Sequence, residues 1–278
     1  MSEWNNVDPM LPVRQGDLLV CRDSSSLQDV EYFLVITADC DINNNKFGRQ
    51  LACLRVVQLK EYYQSIWAER LLKKAIENAD RRILDQVNKW YSLAQGSDAS
   101  ISKEALLHWL DTTSHEDIAK ALNIDANNRE KFYSTLERYH NAILILDNCS
   151  ECALNVYVEF VSIFDAKRLD DVRSATVKKM DSNLPADVFL LPSLSTISDS
   201  PAVILLRELI GIPFEKICYR ARDAVGKNNY IRALRLNPVF KYAVSQAFGH
   251  LYSRIGLPEE FENQNKCVVE KVKDTWEY

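Results

Sequence analysis

The densest grouping of reactive side chains is Thr37-Ala38-Asp39-Cys40-Asp41, between an apolar run and a polar turn. Two carboxylates flank a thiol there. Like charges that close raise at least one carboxyl pKa and disfavour a thiolate. Cys40 therefore needs a cation to act as a nucleophile, and Lys46 or Arg49 across the turn supplies one. The same residues equally suit an Asp that caps the turn and a Cys that packs inward. A second grouping is cationic: Arg207, Lys216, Arg220, Arg222, Lys227, Arg232 and Arg235, with Tyr219 and Tyr230 among them. On a strand over residues 215–222, Arg220 and Arg222 project from one face. Such a row suits phosphate clamping and base stacking, or a solvated face paired with acids.

A third grouping is Cys149-Ser150-Glu151-Cys152, with His140 nine residues before Cys149. Tetrahedral zinc needs four ligands, and there is no second CxxC. A redox dithiol needs a helix N-terminus to lower its pKa, which no βαβ pattern provides here. The pair reads as a turn, with a Cys149/Cys152/His140 metal site as the lesser alternative. The four histidines, His108, His115, His140 and His250, each stand alone in a helical segment. Residues 114–124 resemble the start of a helix-turn-helix, but the basic recognition helix is missing. GxGxxG, GxxxxGK[ST], GxSxG and HExxH do not occur, so no cofactor is expected.

The chain that must hold these groups has 278 residues, 34 Lys+Arg against 39 Asp+Glu, and a net charge of -5. Its 47% hydrophobic and 26% charged residues are those of a globular protein. The acidic balance gives no general attraction to nucleic acid. The odd number of cysteines, seven, suits reduced thiols in a cytosolic protein. The N-terminus lacks a signal-peptide pattern, and no apolar run approaches the roughly 20 residues of a membrane span.

Periodicity predicts strands over 18–21, 31–37 and 51–59, the last two joined by the Asn- and Gly-rich turn 41–48. Helical spacing follows over 60–93, then over 102–110, from Ser114, and over 129–140. Further strands are expected over 143–146, 156–164, 188–191, 202–206, 215–222 and 229–236. Pro238 opens a helix over 239–255 that Gly256 and Pro258 end. The class is α+β. The expected division is a split β domain (1–59 and 141–258), a helical insertion (60–140) and a charged tail (259–278).

Four segments carry a family resemblance: Gly16-Asp17-Leu-Leu-Val20, Leu34-Val-Ile-Thr37, Asn43-Asn-Asn-Lys46-Phe-Gly48 and Leu51 to Val57. They resemble the opening of the PemK/MazF toxins. Lys216-Ile-Cys-Tyr-Arg220-Ala-Arg222 and Gly226-Lys227 are similar to that family's late strand and turn. The resemblance implies an SH3-like β-barrel interrupted by the helical insertion and closed by the C-terminal helix. It does not carry over catalysis. The family cleaves RNA with an Arg before the second strand and a Thr or Ser after the third, where this chain has Glu31-Tyr32 and Gln58-Leu59. A second resemblance joins Thr37-x-x-Cys40-Asp41-Ile42 to Ser245–Phe248 and Arg254–Pro258. It is to bacterial proteins that look to be encoded beside phage-defence genes.

The function expected is therefore a non-enzymatic component of a prokaryotic conflict system, anti-phage or toxin–antitoxin-like. Its barrel presents Thr37, Asp39, Cys40, Asp41, Lys46, Arg49, Arg220, Arg222 and Lys227 to a ligand. The expected ligand is another protein of the same operon, with RNA or DNA as the alternative and no membrane. The 60–140 helices offer a self-association surface. The rival is an endoribonuclease toxin with a relocated site: Arg220 or Arg222 stabilises the phosphorane and Asp39 or Asp41 is the base. That rival requires the two pairs to converge within about 6 Å.

Overall fold

The computed structural model describes residues 3–8, 10–22, 30–95, 99–147, 152–180, 184–191, 193–194, 200–220 and 229–253. The chain divides into two compact units, residues 1–58 with 184–278, and residues 59–183.

Among the described residues, the first unit is built on an eight-stranded sheet. Its strands are β1 (Trp4–Asn6), β2 (Asp17–Arg22), β3 (Val30–Val35), β4 (Gln50–Gln58), β5 (Val188–Leu191), β6 (Ala202–Pro213), β7 (Ile217–Cys218) and β8 (Tyr230–Leu236). Their order is β1-β8-β2-β3-β4-β6-β5, antiparallel throughout, with β7 added parallel to β8. Among the described residues the unit also has two α-helices, α1 (Asp39–Asn43) and α9 (Pro238–Ser253).

The strands bury both faces, which is why they read as continuous apolar runs. Leu18, Leu34, Leu54, Leu206 and Leu234 form one cluster with Val244 and Leu251 of α9. Leu19, Phe33, Leu51, Cys53 and Ile212 form the other, with Val13 and Ile42. Strand β6 serves both clusters by bending. The β4–β6 register slips between Leu54, opposite Leu209, and Val56, opposite Ile204. The extra residues of β6 form a bulge, and bulges bend strands. Glu208, within it, pairs with Arg55 at 3.4 Å.

The ladder is open, which corrects the expectation of a closed barrel. Among the described residues, strand β5 pairs only with β6, and β1 only with β8. A side chain links the two ends: the indole Nε1 of Trp4 donates to the carbonyl of Ser193 at 2.8 Å. The two sequence halves expected to share a sheet do so, since β2 and β7 both pair with β8.

The second unit is helical. It comprises α2 (Leu59–Glu61), a π-helical stretch (Tyr62–Trp67), α3 (Ala68–Gln95), α4 (Lys103–Thr112), α5 (His115–Ala121), α6 (Ala126–Asp147), α7 (Ala153–Phe164) and α8 (Leu169–Met180). Ile83, Val87, Leu106, Ile118, Phe132, Leu136 and Phe160 make its core. Ser102 and Ser114 cap α4 and α5 by accepting the amides of Ala105 and Asp117.

The structure corrects the strands expected over 143–146, 156–164 and 215–222. Residues 143–146 end α6 and residues 156–164 belong to α7, so the helices continue past 140 to α8 (Leu169–Met180). Helix α7 buries Val156, Tyr157, Val158, Phe160 and Phe164, leaving too narrow a polar face for the helical period to show. Of the strand expected over 215–222, the described residues form a 3-10 turn, Phe214–Lys216, the two-residue β7 and a bend at 219–220, and residues 221–222 lie outside the described residues.

Candidate functional site

The Gly16-Asp17 pair sits where strand β2 begins. Gly16 has φ +88°, which a side chain adopts only at a cost. Its amide donates to Val35 and its carbonyl accepts from Leu236, so it joins β2 to strands on both sides. Asp17 is fully buried. Arg235 approaches it with two donors, at 2.5 and 3.0 Å, and the Arg14 amide donates at 2.9 Å. Arg232, also buried, stands 3.7 Å away. Its guanidinium lies over the Tyr219 ring at 5.1 Å. Backbone carbonyls accept further donors: Pro12 from Arg235 and Asp8 from Arg232, each at 3.0 Å. Burial pulls Arg232 below its ordinary pKa, and Asp17 opposes that pull.

A second polar knot lies where β3 ends and α1 begins. Asp39 accepts from the Gln15 amide on one oxygen at 2.8 Å and from Lys241 of α9 on the other at 2.9 Å. Gln15 also donates to Ser245 at 3.1 Å, and Ser245 donates to the Lys241 carbonyl. A Cβ on Gly16 would meet the Lys241 stem at 3.2 Å, so the glycine also makes room for Lys241. Burial works to raise the Asp39 pKa. The bonds from Lys241 and Gln15 and the charges of Lys241 and Arg14 outweigh it, and the net shift is downward.

The other expected site residues divide by role. Thr37 is a stitch: its hydroxyl accepts the Ala52 amide at 2.7 Å. Asp41 accepts the Lys46 amide through its backbone carbonyl at 2.8 Å, closing the turn after α1. Cys40, Lys46 and Arg49 are exposed around that turn. Asn45 (φ 52°) and Gly48 (φ 68°) give it the left-handed residues it needs. Arg220 is exposed, and its Nη2 meets Met10 Sδ at 3.8 Å. Tyr219 and Arg220 form a bend and not a strand, so no Arg220/Arg222 strand face is described. Arg222 and Lys227 lie outside the described residues. No hydrogen bond or ion pair among the described residues joins Arg220 to Asp39 or Asp41, the convergence an Arg/Asp nuclease needs.

The thiols and histidines also resolve. Burial pushes the Cys53 thiol up to about 12, which makes it inert. Cys152 is the N-cap of α7. Cys149 lies outside the described residues, and no metal-binding cluster occurs among those described. The histidines expected to stand alone include a pair. His115 Nε2 and His140 Nδ1 are 3.2 Å apart, and His140 Nε2 meets Asp111 at 3.2 Å.

Sequence reasoning missed Gln15, Lys241 and Ser245. Lys241 and Ser245 are four residues apart on α9, hence on one helical face, and that spacing was the available signal. Ser245 belongs to the Ser245–Phe248 segment and Asp39 to the Thr37–Ile42 segment, so the knot brings together two of the segments that carry the second resemblance. No protein-family model matches the chain, and no curated protein or solved structure is significantly similar to it. No helix among the described residues is long and apolar enough to cross a membrane.

Proposed function

We propose that the chain is a non-enzymatic component of a prokaryotic conflict system, anti-phage or toxin–antitoxin-like, and that its β unit is a PemK/MazF-like platform for a partner protein. The single observation behind this is the state of Asp39, a carboxylate of the expected site. Both its oxygens are taken, by the Gln15 amide and the Lys241 ammonium. A carboxylate held in an ion pair with its pKa lowered is a weak general base. Asp17 is likewise committed, to Arg235. These charges build a scaffold.

The SH3-like part of the proposal has partial support from connectivity. Strands β2, β3, β4 and β6 pair in succession, and β6 runs through a 3-10 turn into β7. Strand β7 pairs with β8, which returns to β2. The surface the scaffold presents is the turn after α1, with Cys40, Lys46 and Arg49 exposed.

Two measurements test the reading. Purified chain is incubated with single-stranded RNA, and tagged chain is used to capture partners from its native cells. No cleavage is expected. A partner protein should be captured by the wild type and lost with Lys46→Glu and Arg49→Glu together. RNA cleavage that disappears in an Asp41→Asn, Arg220→Ala variant would overturn the proposal in favour of the nuclease. Capture of RNA alone would overturn the protein partner.

A further inference from the structure

The helical unit contains a cleft of about 500 Å³ between α3, α7 and α8. That volume is typical of small-molecule sites. Four cations line it, Lys74, Arg82, Lys167 and Lys179, against one carboxylate, Asp165, in a protein whose overall net charge is -5. Asp165 is spent on two of them: one oxygen meets Arg82 at 3.1 Å and the other Lys167 at 3.0 Å. Lys74, Arg82 and Lys167 therefore outnumber the Asp165 carboxylate by two charges. Lys74 is exposed and has no ion pair among the described residues. Like charges repel, so such a gathering costs energy until an anion arrives.

The cations are held in place. Arg82 lies over the Phe164 ring at 4.7 Å, and Lys179 over Tyr157 at 5.7 Å. Lys179 also donates to the Tyr157 hydroxyl at 3.1 Å. Asp165 and Lys167 are fixed by the way α7 ends. Ala166 takes the left-handed conformation (φ 52°), and the Lys167 amide donates back to Ser162 at 2.9 Å. That is a Schellman motif. Beneath this rim, Leu71, Ala75 and Phe160 give an apolar floor. The ligand that fits has several negative charges at one end and a flat, weakly polar body at the other.

We propose that this cleft binds a nucleoside polyphosphate, with its phosphates on the Lys74, Arg82, Lys167 and Lys179 rim and its base on the apolar floor. The proposal stands apart from the β unit and its partner.

Calorimetric titration of the full chain at physiological ionic strength tests it, with ATP, inorganic tripolyphosphate, adenosine and a short single-stranded RNA as probes. ATP should bind saturably at one site. Tripolyphosphate and adenosine should each bind about tenfold or more weakly than ATP, since each offers one half of the contacts. Lys74→Glu and Lys167→Glu should each weaken ATP about tenfold, as expected for reversing one charge beside a polyanion. Lys89→Glu, on the same helix α3 but outside the cleft, should change nothing. Unchanged circular dichroism keeps the variants interpretable. Absence of saturable ATP binding, or binding indifferent to both reversals, would overturn the site. Tripolyphosphate binding as tightly as ATP would overturn the base contact. RNA binding more tightly than ATP would overturn the small-molecule assignment.

Discussion

The two units use charge in opposite ways. In the β unit, cations gather on carboxylates and backbone carbonyls. Arg235 is divided between Asp17 and Pro12, and Lys241 meets Asp39. In the helical unit's cleft, Arg82 and Lys167 share the one carboxylate of Asp165, with Lys74 beside them. Charges whose partners lie within the fold make it rigid, while charges gathered in excess ask for a ligand. The fold can lose a rim lysine cheaply. It cannot lose the acceptor of a buried guanidinium.

That contrast predicts the largest effect. Asp17→Asn keeps the volume and removes the charge, leaving Arg235 and buried Arg232 without their counterion. Breaking a buried pair from one side costs about 3–5 kcal/mol. Lys74→Glu, on the cleft rim, should stay within about 0.5 kcal/mol of the wild type, as surface substitutions do. Urea unfolding followed by circular dichroism measures both. Near-equal losses in the two variants would break the contrast.

The Asp39 knot should be weaker, because it is partly open to water. Asp39→Ala removes the acceptor of the Gln15 amide and the partner of Lys241. About 1–2 kcal/mol is expected, the cost of stranding a donor in a half-buried site. The pH dependence has a definite sign. Burial works to raise the Asp39 pKa, but the Lys241 and Gln15 bonds bring it below its ordinary value. Its stabilisation is therefore complete at neutral pH. It fades as pH falls below the ordinary carboxyl value of about 3.9 and through the lower folded value. Thermal melts from pH 6 downward should show wild type and Asp39→Ala converging. A gap that widens in acid would remove Lys241 as the cause.

The legible parts of the sequence were those where local chemistry and fold agree. The β2, β3 and β4 strands and the Asn- and Gly-rich turn announce themselves through β-branched runs and left-handed residues. The long amphipathic helix α3 shows its period because one face meets water. Helix α7 was misread for the opposite reason: ALNVYVEFVSIF is buried on most sides and keeps too few polar residues to mark a face. The end of α6 was misread because Ile143–Leu146 is an unbroken apolar run, although Leu144 is exposed. The site was legible by residue type and not by partner. Asp39 stood out as a carboxylate beside a thiol. Its partner Lys241 lies 202 residues away, and no local spacing announces a contact that tertiary structure makes. The cleft escaped for the same reason, because Lys74 and Arg82 come from α3, Lys167 from the turn after α7, and Lys179 from α8.

The smallest effect belongs to the histidine pair, and it tests whether the helical unit carries titrating groups as well as fixed charge. His115 faces His140 at 3.2 Å, the Tyr133 ring edge-on at 5.8 Å, and the charge of Glu137. Asp111 holds the far nitrogen of His140, and Glu116 and Asp117 follow His115 on α5. Burial lowers the His115 pKa first and His140 lowers it further, while Glu137 opposes them. The fold thus favours neutral His115. As pH falls below the ordinary histidine value of about 6.5, the unfolded chain takes up the proton more readily, and stability declines. The loss levels off once the folded protein is protonated too. His115→Gln removes the titration and keeps a hydrogen-bonding side chain. Between pH 8 and pH 5 the wild type should lose about 1 °C more in Tm than this variant. Identical slopes would place the acid sensitivity elsewhere, and a wild type that gains stability in acid would reverse the assignment of His115 as the neutral partner.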